Sequence, residues 1–153
     1  MALLCEDEFP KADMNKVIRM CLIHDLGEAF TGDIPTFEKN CQNEMDEGKL
    51  LRQWISSFPE PYSGEWLALL EEMDARESQE AKIYKALDNL EAVIQHNEAD
   101  IASWLPLEYD LQLTYGSDKV GFAPWMQQFK ATIDCQTREK IAKESKDGNL
   151  GSL

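Results

Sequence analysis

Positive charge is the scarcest property of this 153-residue chain. Its 15 lysines and arginines stand against 29 aspartates and glutamates, which gives a formal net charge of −14. A chain this acidic has no broad electrostatic surface for duplex DNA or for an anionic membrane. It can still bind a phosphate locally where a metal ion supplies the positive charge. We therefore expect neither a nucleic acid nor a membrane as its partner.

Long apolar runs and paired cysteines are also missing. No apolar run approaches the ~20 residues that a membrane-spanning helix requires. The first residues, Met1-Ala-Leu-Leu-Cys-Glu, have neither a basic region nor a cleavage-site pattern, so we expect no secretory signal. The four cysteines lack C-x-x-C spacing, which argues against a zinc knuckle and a redox pair. These absences predict a cytoplasmic protein with reduced thiols.

The chain does contain enough apolar residues for a core. It is 43% hydrophobic and has four Trp, six Phe and four Tyr, so it should fold. Apolar residues recur at helical steps, which predicts an all-α fold with roughly five or six helices. We expect one domain over residues 1–145 and a flexible tail over 146–153. The predicted helices cover 14–26, 43–58, a stretch starting near 63, 77–97 and 124–145, and residues 1–9 resemble the tail of another.

The first complete predicted helix ends in an adjacent pair, His24 and Asp25. This helix contains many apolar residues, so we expect it to be largely buried. Asp13 should cap this helix and Gly27 should terminate it. Imidazole and carboxylate groups together suit Zn, Mn, Fe, Co or Ni. The remaining coordination positions would take water and a substrate phosphate. The pair therefore predicts a metal site.

Two further carboxylates, Glu28 and Asp33, follow within nine residues of His24. They could orient the attacking water or protonate the leaving oxygen, but carboxylates in such loops are also often caps or solvated side chains. A third ligand is expected from elsewhere, because two do not hold a metal firmly. Asp88 lies in mid-helix among apolar residues, where a carboxylate is costly unless it binds a metal or pairs, for instance with Lys85.

The other histidine, His96, lies two helical turns beyond Asp88. At about 100° per residue it is offset by about 80° from Asp88. It is therefore expected to make a structural hydrogen bond rather than to bind the same ion.

Two motifs carry a resemblance to a known family. They are His24-Asp-Leu-Gly-Glu-Ala-x-x-Gly-Asp33-Ile-Pro and Glu80-Ala-Lys-Ile-Tyr-Lys-Ala-Leu-Asp88-Asn-Leu-Glu91. Together they resemble the HD-domain phosphohydrolases, and within them the 5'-deoxynucleotidase branch. The Gly-Tyr-Pro signature of the cyclic-dinucleotide phosphodiesterases is missing. Ala29 also stands where the alarmone hydrolases tend to have a second acidic residue.

The resemblance implies an all-α HD-domain bundle with a divalent metal ion, which could be Co, Mn, Zn, Fe, Ni or Mg. It implies hydrolysis of (deoxy)ribonucleoside 5'-monophosphates to nucleoside and phosphate, and a homodimer, since members often dimerise. By motif, His24, Asp25 and Asp88 would be metal ligands. Glu28 would be a catalytic residue, and Asp33 would contribute to catalysis or contact the sugar of the substrate.

Family members carry one more metal-ligating histidine, on the helix before the His-Asp pair. Residues 1–4 resemble only the tail of that helix, so three of four expected ligands are present and the chain is expected to be shorter than the family at this end. Two alternatives to an active hydrolase stay open. The chain could be a truncated, weakly active or inactive remnant that serves as an interaction module, or the reading frame could begin upstream of Met1.

Overall fold

The computed structural model describes residues 1–32, 34 and 40–147, without the side chains of 41, 44 and 144–147. These residues form helices and turns and contain no strand. The α-helices are α1 (Met14–Ile23), α2 (Glu28–Thr31), α3 (Cys41–Ile55), α4 (Tyr62–Ala75), α5 (Gln79–Glu98), α6 (Glu108–Thr114) and α7 (Pro124–Asp147), and short 3₁₀ helices cover Ala2–Cys5 and Ile101–Ser103. Six of the α-helices in this part of the chain have seven residues or more, which confirms the all-α prediction. No helix in the described ranges is both long and apolar enough to cross a membrane.

The chain divides into two compact units, and the boundary falls within α5. One unit comprises Lys11–Tyr84, and the other comprises Met1–Pro10 with the chain from Lys85 onward. The single domain over 1–145 stays a prediction. Of the predicted tail, residues 146 and 147 belong to α7, and 148–153 lie outside the described residues.

Helix α1 buries one stripe of side chains rather than most of its surface. Met14, Val17, Met20 and Ile23 recur every three residues and are buried, whereas Leu22 is 72% exposed. The prediction of a largely buried helix is therefore wrong, because the apolar Leu22 lies outside the stripe and faces solvent. The predicted cap is confirmed: the Asp13 carboxylate accepts the Lys16 backbone N–H at 3.1 Å.

The sequence located the longer helices to within a few residues and missed α6. This helix spans seven residues, too short for a stripe of apolar side chains to repeat. The apolar start of the chain forms only the 3₁₀ helix Ala2–Cys5.

A hydrogen bond from the N-terminus of α1 to α5 should make stability depend on pH. The Asp13 N–H donates to Glu80 Oε1 at 2.9 Å, and this bond, helped by the N–H of Glu80 itself and by Lys16, holds the pKa of Glu80 below its usual 4.5. The ionised carboxylate stabilises the fold above that usual pKa, and the contribution fades as pH falls through the lowered value. We expect Glu80→Gln to reduce the free energy of unfolding at pH 7 but not at pH 3, as measured by urea denaturation. The exposed neighbour Glu77→Gln is the control, and a loss independent of pH would refute the prediction.

Gly116 is required by both its backbone and its surroundings. Its φ is +73°, and a Cβ there would lie 2.9 Å from Cβ of Asn89, which is only 6% exposed. We expect Gly116→Ala to lower the free energy of unfolding by about 2 kcal/mol or more, from left-handed strain plus overpacking. Gly121 has open space around it and is the matched control, with an expected effect within about 0.5 kcal/mol. If denaturation shows that both variants lose the same free energy of unfolding, this explanation is contradicted.

Candidate metal centre at the end of helix α1

A tight turn follows α1 and carries the first predicted site residues. Its backbone hydrogen bonds each join residues three apart in sequence. The N–H of Leu26 donates to the carbonyl of Ile23 at 3.2 Å, that of Glu28 to Asp25 at 3.0 Å, and that of Phe30 to Gly27 at 3.0 Å. Side chains three residues apart eclipse in such a turn, so Asp25 and Glu28 lie on the same side. The turn therefore places the residue positions of Asp25 and Glu28 on one side, beside the end of α1.

Gly27 does not terminate α1 as the sequence predicted. The helix ends at Ile23, with His24 as its C-cap. Gly27 has a right-handed φ of −63° and precedes α2 as its N-cap. Any larger residue here would displace a neighbouring side chain, since a Cβ would lie 2.6 Å from Cγ of Glu47 on α3.

The ring of His24 is held in one orientation from two sides. Its Nδ1 lies 2.8 Å from the Cys21 carbonyl oxygen, and the Tyr84 ring packs edge-on with centroids 5.8 Å apart. A carbonyl only accepts, so Nδ1 carries the hydrogen and Nε2 is left to bind a cation or to face Asp25. Metal-ligating histidines are typically anchored through the other ring nitrogen in this way.

Nε2 of His24 lies 2.9 Å from Oδ2 of Asp25, whose side chain is 61% exposed. Two ligand atoms at right angles, each about 2.0–2.1 Å from one ion, are about 2.9 Å apart. The same distance also suits a hydrogen bond in which a protonated Nε2 of His24 donates to the Asp25 carboxylate. The pair thus fits two coordination positions of a divalent ion and is open to a small molecule from solvent.

The other predicted residues are placed as follows. Glu28 is half-buried and begins α2. Asp33 lies outside the described residues. Asp88, in the other unit, accepts from Nζ of Lys85 at 2.6 Å, which confirms the alternative that paired these two residues. Among the described side chains, no three His, Cys, Asp or Glu groups are arranged to hold a metal ion.

His96 belongs to a separate aromatic cluster. Its ring stacks on Trp104 with centroids 4.6 Å apart, and its Nε2 lies 3.4 Å from Glu108 Oε2 without forming a hydrogen bond. The Trp104 indole N–H donates to the backbone carbonyl of His96 at 3.2 Å. Its role is structural, as expected, although ring stacking rather than a side-chain hydrogen bond holds it.

A cavity of about 160 Å³ beside His24 brings in residues that no motif indicated. It is lined by His24, Glu47, Gly48, Leu51, Arg52, Leu70, Met73, Asp74 and Tyr84. Arg52 pairs with Asp74 and donates to the Gly48 carbonyl at 3.1 Å. Arg52, Asp74 and Gly48 also line an open groove of about 860 Å³, whose other lining residues lie on or directly after α3. The sequence pointed to Glu47 only indirectly. Gly27 has no side chain, and Glu47 fills the space that this leaves.

Comparison with known proteins identifies the class of fold. The HD domain family matches residues 1–130, so the chain belongs to the HD-domain family. HD domains generally bind divalent metal ions. The observed pair of imidazole and carboxylate groups fits that property.

Sequence relatives of the chain belong to one group within the HD-domain family. The chain is 33% identical to 5'-deoxynucleotidase HDDC2 of Bos taurus over 145 residues, 93% of this chain and 69% of that protein. It is 31% and 30% identical to the proteins of the same name in Mus musculus and Homo sapiens over 100 residues, 64% of this chain. These alignments span about half of the mouse and human proteins, 49% and 48%. No solved structure matches the chain significantly. The resemblance to 5'-deoxynucleotidase-like HD-domain phosphohydrolases is thereby confirmed.

Proposed function

We propose that this protein is a metal-dependent phosphohydrolase that converts (deoxy)ribonucleoside 5'-monophosphates to nucleoside and phosphate. The observation that carries the proposal is the geometry of His24. Its Nδ1 is anchored to a backbone carbonyl while Nε2 lies 2.9 Å from an exposed carboxylate oxygen of Asp25. The relatives, named as 5'-deoxynucleotidases, support the substrate class.

We assign the ligands of the ion to His24, Asp25 and Asp88. The first two are supported by their geometry and the third by its motif alone. Bound there, a divalent ion would polarise the phosphate and lower the pKa of a water molecule. Metal analysis of the purified protein decides which ion occupies the site: Co, Mn, Zn, Fe, Ni or Mg.

The protons are handled by carboxylates of the chain. Glu28 lies on the same side of the turn as Asp25, and we assign it to accept a proton from the attacking water. The water oxygen bonds to phosphorus, the bond from phosphorus to the 5' oxygen of the sugar breaks, and that 5' oxygen takes up a proton. We assign to Asp33 a part in this protonation or a contact with the sugar.

The proposal includes a cytosolic location and a homodimer. Cys5, Cys21 and Cys135 are present as thiols, which suits a reducing compartment. Sedimentation of the purified protein measures its oligomeric state.

The test is phosphate release from deoxyribonucleoside 5'-monophosphates with added Co²⁺ or Mn²⁺. Wild-type protein should release phosphate from 5'-monophosphates but not from 3'-monophosphates. The Asp25→Asn variant should release phosphate from neither. The exposed Asp46→Asn, which removes the same charge from α3, is the control and should retain activity. Equal rates for wild type and Asp25→Asn would refute the proposal.

A further inference from the structure

Glu47 reaches the turn between Asp25 and Glu28 from a different helix. It is a half-buried residue of α3. Its Cγ lies 2.6 Å, and its Oε1 3.1 Å, from where a Cβ on Gly27 would stand. The side chain therefore occupies the space that Gly27 leaves, and its carboxylate rests directly against the backbone of the turn.

The same side chain lines the cavity that also contains the His24 ring. A carboxylate in a partly enclosed site raises the affinity for a cation, because water screens its charge less there than on an open surface. The charge of Glu47 therefore favours a cation beside His24.

Helix α3 delivers Glu47 from a fixed position. The Asn40 side chain caps α3 by accepting the N–H groups of Gln42 and Asn43 at 3.0 Å each. Phe30 of α2 packs edge-on against Trp54 of α3 with centroids 5.8 Å apart. The turn and the helix are thus held together by an aromatic contact as well as by Glu47.

We propose that Glu47 is a positioning residue of the metal centre, which holds the turn from His24 to Glu28 and adds negative charge beside the ion. Glu47 acts through the turn, because its side chain lies directly against Gly27. This inference rests on the proposed function.

The test measures Co²⁺ affinity of the full chain by calorimetry, with no substrate present. Glu47→Gln keeps the shape of the side chain and should weaken binding about 10-fold, as loss of a supporting group typically does. Asp46→Asn removes the same charge one residue away on the exposed side of α3 and should stay within about twofold, because solvent screens it. Thermal melting of both variants should match that of wild type.

A wild type that binds Co²⁺ and a Glu47→Gln variant that binds it equally well would overturn the inference alone. A wild type that binds no Co²⁺ would overturn the proposed function as well. The two failures are therefore distinguishable.

Gly27→Ala provides a second variant, which keeps the Glu47 carboxylate in the chain but displaces it from the turn. Its φ of −63° and ψ of −32° accept alanine, so its effect comes from displacement of Glu47. We expect it to weaken Co²⁺ binding, and the loss in the double variant with Glu47→Ala should be smaller than the sum of the two single losses, because both changes remove the contact between Glu47 and the turn. Additive losses would show that Glu47 and Gly27 act separately and would overturn the inference.

Discussion

Replacing His24 by alanine will abolish stoichiometric binding of a divalent metal and lower the rate of phosphate release by about 1,000-fold. The estimate follows because metal catalysis stabilises the transition state by several kcal/mol, and each 1.36 kcal/mol changes the rate tenfold. The variant loses Nε2, the atom that lies 2.9 Å from Oδ2 of Asp25. Metal content of the purified protein and phosphate release from a deoxyribonucleoside 5'-monophosphate give the two readouts.

The chain offers a matched control in its second histidine. His96→Ala removes an imidazole that stacks on Trp104, in the other compact unit. It should bind metal with wild-type stoichiometry even if its melting temperature falls. Similar loss of metal in both variants would contradict the assignment of His24 as a ligand.

Replacing Asp88 by asparagine will also remove the bound metal and lower the rate by about 100-fold or more, since a carboxylate ligand is lost. Asp88 has a second partner, Lys85, at 2.6 Å. Pairs of this kind on a helix contribute about 0.5 kcal/mol or less to stability, so the ion pair alone cannot explain a large loss. Lys85→Met breaks the same pair and should keep both the metal and the activity.

The comparison of these two variants separates a ligand from a structural ion pair. If Asp88→Asn and Lys85→Met lose metal to the same small extent, Asp88 serves only as the partner of Lys85. If only Asp88→Asn loses the metal, Asp88 belongs to the metal centre. Thermal melting of both variants checks that neither change unfolds α5.

Periodicity predicted the long helices because each buries a repeating stripe. It failed where the chain is too short for a repeat, as in α6, and where apolar residues remain exposed, as with Leu22 on α1. Local sequence also misplaced the end of α1, because a histidine C-cap and a series of three-residue turns replaced the glycine stop that the pattern indicated. Exposure and helix ends depend on neighbours that local sequence does not specify.

The sequence predicted only part of the candidate site. His24, Asp25 and Glu28 are close in sequence, so one motif found them, and the turn places the positions of Asp25 and Glu28 on one side. Glu47 and Asp74 come to the His24 cavity from α3 and α4, and no spacing in the sequence connects them to the motif. Asp88 was singled out as a mid-helix carboxylate that either binds a metal or pairs; the structure shows Lys85 as one partner, and the role of Asp88 as a ligand stays a prediction.

The central claim is that a divalent ion at His24 and Asp25 drives hydrolysis of a nucleoside 5'-monophosphate. The most direct measurement is a titration of metal-depleted protein with Co²⁺, which follows phosphate release from a deoxyribonucleoside 5'-monophosphate. Activity should rise to a plateau as the metal site fills, vanish on chelation, and be missing from Asp25→Asn throughout. Phosphate release that is independent of Co²⁺, or the lack of any release at saturating Co²⁺, would contradict the claim.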